Sequence, residues 1–147
     1  MDREHPDCRD LIVARLAGRL GNADPDVRLK AAAGLGQLGK KARRGVLALI
    51  VALTDDDVQV RKMAALALGD IGPAALLAVP ALRDVLAHDS DPAVRRRAVV
   101  ALGELGREEV LPCLRKAMER DPDALVREMA NLAVDHINRT TAEPWAA

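Results

Sequence analysis

The stretch Asp91 to Gly106 reads DPAVRRRAVVALGELG, and altered copies of it recur along the whole chain. Asp24 to Gly39 is DPDVRLKAAAGLGQLG, Asp57 to Gly72 is DVQVRKMAALALGDIG, and Asp121 to Asn138 is DPDALVREMANLAVDHIN. The shared Val-Arg pair falls at Val27-Arg28, Val60-Arg61, Val94-Arg95 and Val126-Arg127, at spacings of 33, 34 and 32 residues. Self-similarity at such a period marks an array of small supersecondary units, each burying its apolar face against its neighbours.

Between the copies, apolar residues recur every three or four positions, the helix period. Leu16 and Leu20, Leu49 and Leu53, Leu82 and Leu86, and Leu114 and Met118 form one such set, each preceding a turn rich in Asp, Asn or Pro. The repeated segment is itself helical in period, with Val94, Ala98, Ala101 and Leu105 on one face and counterparts in the other copies. Asp24-Pro25 and Asp91-Pro92 read as caps, because Asp accepts free amide protons and Pro lacks only an N–H that the first helical turn leaves unpaired. Gly39, Gly72 and Gly106 read as stops. These signals predict an all-α solenoid of four antiparallel helix pairs, with units at about 10–39, 40–72, 73–106 and 107–138. A polar lead at 1–9 and an irregular tail at 139–147, anchored by Trp145, flank them.

Pro80 and Pro112 sit at equivalent places about one turn inside their predicted helices, where proline costs about 3 kcal/mol. Each helix is therefore expected to begin, or bend, just before its proline. The last unit departs from the others: Gly36, Gly69 and Gly103 become Asp135, a polar residue suited to an end that no further unit covers.

The pattern DPxVRxxAxxALGxxG resembles HEAT repeats, above all the short HEAT-like repeats of bacterial scaffold proteins and phycobilin lyases. The resemblance covers roughly residues 10–138 and implies a right-handed superhelix, with first helices on its convex side and second helices lining a concave side where partners bind. It also implies a ladder role for Arg28, Arg61, Arg95 and Arg127, paired with turn aspartates of their own or an adjoining repeat. The candidates are Asp24, Asp57, Asp91 and Asp121 or Asp123. A guanidinium suits such a place, since it grips a carboxylate with two N–H groups and still reaches loop carbonyls.

Stepping about 100° per residue from Val94 puts Arg96, Val99, Val100 and Gly103 opposite the buried face. With their counterparts they form an expected groove floor of small and apolar residues, edged by Lys30, Lys62, Arg96 and Arg97 toward one end and by Glu128 and Asp135 toward the other. We take Leu29, Lys62, Leu66, Arg96, Val99, Val100 and Leu132 as candidate partner contacts. Two readings of Leu66, Val100 and Leu132 stand side by side: packing between neighbouring helices, or a patch kept for a partner helix or a second copy of the chain.

The chain balances 22 Lys and Arg with 22 Asp and Glu, so no overall field attracts nucleic acid. The basic run Lys40, Lys41, Arg43 and Arg44 is the best phosphate candidate, but Phe and Tyr are absent, leaving few rings for stacking bases. That composition also argues for an aliphatic, Ala-rich core rather than an aromatic-walled pocket. Cys8 and Cys113 are too few for a disulfide framework and read as free thiols of a reducing compartment. The opening MDREHPDCRD lacks the basic end and apolar run of a secretion signal, and Ile71 to Leu82 is too short to span a bilayer. These features together point to a cytoplasmic protein without membrane insertion.

His5, His88 and His136 are far apart and lack companions at ligand spacing, so no metal site is expected. Diiron hydroxylases of similar architecture carry repeated His-Glu pairs, which this chain lacks, although Glu4 precedes His5. No phosphate loop, nucleophile or cofactor signature is found. The expected function is a protein-interaction module with no reaction of its own. The alternative, carried by the resemblance, is a subunit of a bilin lyase or another tetrapyrrole-handling enzyme.

Overall fold

The computed structural model describes residues 7–142, which form eight α-helices and no strand. They are α1 (Cys8–Arg19), α2 (Pro25–Leu38), α3 (Val46–Ala52), α4 (Val58–Ile71), α5 (Val79–His88), α6 (Pro92–Leu105), α7 (Leu111–Arg120) and α8 (Ala124–Thr141). Consecutive helices pair antiparallel and the pairs stack, giving the expected all-α solenoid. Each second helix starts on an aspartate: Asp24, Asp57, Asp91 and Asp123 accept amide protons from the first turns of α2, α4, α6 and α8. Gly39, Gly72 and Gly106 end α2, α4 and α6 with φ of 54°, 71° and 65°, a region that side chains disfavour.

Pro80 and Pro112 lie in the first turns of α5 and α7. The residues before them form tighter 3-10 segments, Gly72–Ala78 and Glu108–Val110. The helices thus begin where proline's missing N–H is harmless. The same device at Gly39–Gly45 takes up the basic run Lys40 to Arg44. The most apolar helical run, Val58–His88, is half buried in its richest window. It is interrupted at Gly72 and again at Ala75 (φ −99°, ψ 19°), so it is three short segments rather than one straight helix.

Two expected boundaries move. Helix α1 begins at Cys8, inside the expected lead, and α8 continues to Thr141, inside the expected tail. Asn138 does not stop α8 as glycine stops the others. Beyond it Arg139 Nε donates to the Asp135 carbonyl at 3.2 Å, and the Thr140 and Thr141 hydroxyls donate to the Ile137 carbonyl at 3.0 and 2.9 Å. Trp145 and the Glu4-His5 pair lie outside the described residues.

The core is a continuous aliphatic seam. Val60, Ala64, Ala67 and Leu68 are at most 1% exposed, as are their counterparts Val94, Ala98, Ala101 and Leu102. Adjacent second helices approach very closely. A Cβ on Gly36 would lie 3.1 Å from the Ala67 Cα, and one on Gly69 would lie 3.2 Å from the Ala101 Cα. The first helices are held farther apart, leaving clefts of about 710 Å³ between α5 and α7 and about 500 Å³ between α1 and α3. A stack tight on one side and open on the other curves toward the tight side, so the second helices line the concave face.

The turns are locked by an arginine ladder between successive units. Arg28 Nε and Nη2 grip the Asp55 carboxylate at 2.8 and 2.9 Å, Arg61 grips Asp89 at 2.9 and 3.4 Å, and Arg95 grips Asp121 at 2.9 and 3.0 Å. Nη1 of each arginine also donates to a carbonyl of its own turn: Asn22 at 2.8 Å, Asp55 at 2.9 Å and Asp89 at 2.9 Å. Asp121 is the partner expected from the sequence. Asp24, Asp57 and Asp91 are not: their carboxylates are occupied by helix-start amides, and the ladder is completed by the aspartate two residues before each cap, in the following unit. Those turn carboxylates in addition accept the amides of Asp57, Asp91 and Asp123 at 2.9, 3.0 and 2.9 Å. Arg127 reaches only the carbonyls of Asp121 (2.7 Å) and Pro122 (3.3 Å) and has no carboxylate among the described residues. Asn22 fills the equivalent turn position before α2, where its side-chain oxygen accepts the Asp24 amide at 2.9 Å.

The Arg95 and Asp121 side chains are 10% and 5% exposed, so Arg95→Ala strands a buried carboxylate and should cost roughly 2–4 kcal/mol. Arg127→Ala should cost at most about 1 kcal/mol. Urea denaturation of the two variants checks the ranking. Burial alone would raise the Asp55 carboxyl, but hydrogen bonds from Arg28 and the Asp57 amide, with the charges of Arg28 and Arg61, hold it below its usual range. The unfolded chain therefore binds this proton more readily than the folded one. The stabilisation from Asp55 is complete above about pH 4 and is lost as pH falls through its folded value. The difference in melting temperature between wild type and Asp55→Asn should be largest near neutral pH and shrink toward pH 2.

Candidate interaction surface

Each second helix presents to the concave side the residues at one place before, and three, six and ten places after, its repeated valine. The sixth places, Ala33, Leu66, Val100 and Leu132, make an apolar line across α2, α4, α6 and α8. The first three are partly exposed and Leu132 is 58% exposed. Toward the helix starts this line is bordered by Lys30, Lys62, Arg96 and Arg97, with Asp26 in α2 and Glu128 in α8 on the same border, and toward the helix ends by Asp70 and Glu104. None of these eight charged groups forms an ion pair among the described residues. The surface is thus an apolar strip with a mainly basic edge and an acidic edge, running across the stack.

Of the candidate contacts, Leu29, Lys62, Leu66, Arg96 and Val100 are partly exposed and Leu132 is exposed. Val99 is a correction: it is completely buried and belongs to the core. The reason is angular. The places five and nine after the repeated valine face the next unit, so Ala32, Ala65 and Val99, with Gly36, Gly69 and Gly103, are covered by the following pair. In α8 those places hold Asn131 and Asp135, both exposed, with no following pair against them among the described residues.

The first helices carry exposed side chains that the sequence reading passed over. Leu47 and Val51 on α3 are 67% and 72% exposed, and Leu77, just before α5, is 72% exposed. Leu47 and Val51 are four residues apart, a second stripe beside the inward one of Val46, Leu49 and Leu53, and that spacing was the available signal.

No group of three or more His, Cys, Asp or Glu residues able to hold a metal is found among the described residues. His88 is the exposed last residue of α5, its Nδ1 3.2 Å from the Asp84 carbonyl, and His136 is exposed on α8. Burial pushes the Cys113 thiol up despite the charge of Arg83, and its Sγ–H donates to the Val110 carbonyl at 2.9 Å. It is placed as a protonated packing group, not as a thiolate.

The sequence matches the HEAT-repeat family over residues 12–79 and 48–135, which together cover most of the chain. The chain belongs to the HEAT-repeat family. Its HEAT stack is similar to that of human deoxyhypusine hydroxylase in complex with glycerol, with a TM-score of 0.74 and 30% identity over 95% of this chain and 49% of that one. An engineered protein is similar with a TM-score of 0.70 and 25% identity, over 86% of this chain and 62% of that one. A chain of the CpcE and CpcF complex of phycocyanin lyase from Nostoc sp. PCC7120 shares the fold with a TM-score of 0.54 and 22% identity, over 84% of this chain and 98% of that one. This chain therefore spans about half of the hydroxylase and less than two thirds of the engineered protein. No curated protein matches it by sequence. The HEAT fold is one capable of protein–protein interaction, and it occurs in both the lyase complex and the hydroxylase.

In a HEAT stack, exposure separates surface from core at neighbouring positions of one helix. Val99→Asp should therefore cost roughly 3 kcal/mol or more, because it puts a charge between α6 and α8. Arg96→Ala, three residues earlier, should stay within about 0.5 kcal/mol of wild type. Thermal denaturation followed by circular dichroism separates the two.

Proposed function

We propose that this chain is a protein-binding HEAT subunit that takes an amphipathic helix of a partner across its concave face. The observation that carries this reading is the apolar line Ala33, Leu66, Val100 and Leu132 between a mainly basic and an acidic edge, all of it on four helices held rigid by the turn ladder. Such a strip suits a helix with apolar anchors every three or four residues and oppositely charged flanks. In this role the chain binds and is not itself asked to perform a reaction.

The comparisons favour one form of this reading. Two of the similar structures are named as enzymes, and one of them is a complex of two phycocyanin lyase proteins. The chain matches 98% of the length of its lyase counterpart. We therefore put forward, as the second reading, a subunit of a bilin lyase or related enzyme whose partner completes the site. Adding an open-chain tetrapyrrole to the purified protein, alone and with its partner, distinguishes the forms. A saturable shift of the tetrapyrrole's absorbance supports the enzyme subunit, and an unchanged spectrum leaves the plain binding module.

Both forms share one requirement. Leu66→Asp with Val100→Asp should abolish recovery of the partner from the native cell while leaving helicity and cooperative melting intact. A double variant that still captures the partner refutes the concave assignment. One that loses its helices shows that these two side chains are core.

A further inference from the structure

The two clefts on the convex side are built alike and lined differently. Each lies between successive first helices, with a ladder pair at its turn end: Arg28 and Asp55 in the first, Arg95 and Asp121 in the second. Aligning the units on their inward leucines, Leu16 with Leu82 and Leu49 with Leu114, gives position-by-position counterparts. Where the first cleft has Ala17 and Val51, the second has Arg83 and Lys116. The second adds Arg120 and His88 at its turn end. Packing of the stack does not call for these cations, since the first cleft does the same structural work without them.

Arg83, Lys116 and Arg120 form no ion pair among the described residues, and all three are exposed. Asp84 is the one acid in the cleft outside the ladder, and it too is unpaired. The three strong cations sit on both walls, one on α5 and two a turn apart on α7. Pro80, Pro112 and Ala117 supply apolar surface between them, and the volume of about 710 Å³ lies in the range of small-molecule sites.

We propose that the α5–α7 cleft binds a small molecule bearing a cluster of phosphate or carboxylate oxygens on an apolar body, its anionic end held by Arg83, Lys116 and Arg120. Convergent guanidinium and ammonium groups around an apolar wall fit such a ligand, with the arginines forming forked hydrogen bonds and the lysine a point charge. This site is on the opposite side of the stack from the concave strip. It stands or falls independently of the partner-binding reading.

Isothermal titration at low salt with inorganic pyrophosphate and with citrate, on the whole chain, tests the proposal. Saturable binding of one anion per chain is expected, and the tighter of the two probes identifies phosphate or carboxylate as the preferred group. Lys116→Glu with Arg120→Glu should weaken binding about tenfold or more. Asp84→Asn should tighten it, a gain that damaged folding does not mimic. Substituting Lys40 and Lys41 by Glu should leave binding unchanged. The proposal is overturned if neither anion saturates, if Asp84→Asn binds no more tightly than wild type, or if binding survives the α7 double variant and disappears with the Lys40 and Lys41 variant.

Discussion

Everything in this fold depends on how closely one second helix lies against the next. At Gly36 and Gly69 the neighbouring unit's alanine Cα lies just over 3 Å from where a side chain would begin, so the helices touch almost backbone to backbone. That approach buries the alanines and the repeated valine and leucine of α4 and α6 almost completely, which lets a core without Phe or Tyr exclude water. It also sets the curvature, because the first helices carry larger side chains and cannot close to the same distance. The concave strip and the convex clefts are two results of one packing asymmetry.

Close helix contact alone would permit sliding, and the ladder removes that freedom. A guanidinium bonded at once to its own turn's carbonyl and to the next turn's carboxylate fixes the offset between units to within hydrogen-bond tolerance. The ends obey the same logic. Asn22 keeps the amide-capping geometry of the turn with a neutral side chain, and Arg127 keeps its bond to its own turn without a carboxylate partner among the described residues. On the same helix Asn131 and Asp135 are exposed, whereas Ala32, Ala65 and Val99 and Gly36, Gly69 and Gly103 at the same places of the other units are buried.

The architecture was legible in the sequence because it is written several times over. Helix period, caps, glycine stops and the Val-Arg register agree in each copy, so an error in one is corrected by the others. What misled was orientation around a single helix. The wheel placed Val99 opposite the buried valine and hence on the surface, but a helix inside a stack is covered on three sides. Only the concave quarter, at Leu66 and Val100, remains open. The ladder was misread for a related reason. Asp57 and Asp91 are conspicuous as caps, whereas Asp55 and Asp89, two residues earlier, do the pairing. The Asp-x-Asp spacing of both turns, matched by Asn22-x-Asp24, carried that information.

Repeat packing also decides where chemistry can vary. Positions facing a neighbouring unit are tied to small or aliphatic residues by distances near 3 Å, and the turn positions are tied by the ladder. The positions left free point into the concavity or outward from the first helices, and there the four units have diverged most. Lys30, Met63, Arg97 and Met129 occupy one concave place, and Gly18, Val51, Asp84 and Lys116 occupy one convex place. In an array whose scaffold is fixed by repetition, differences between copies at free positions report recognition more directly than similarities do. That is why the contrast between two clefts of the same construction carries more weight than the charge of either one.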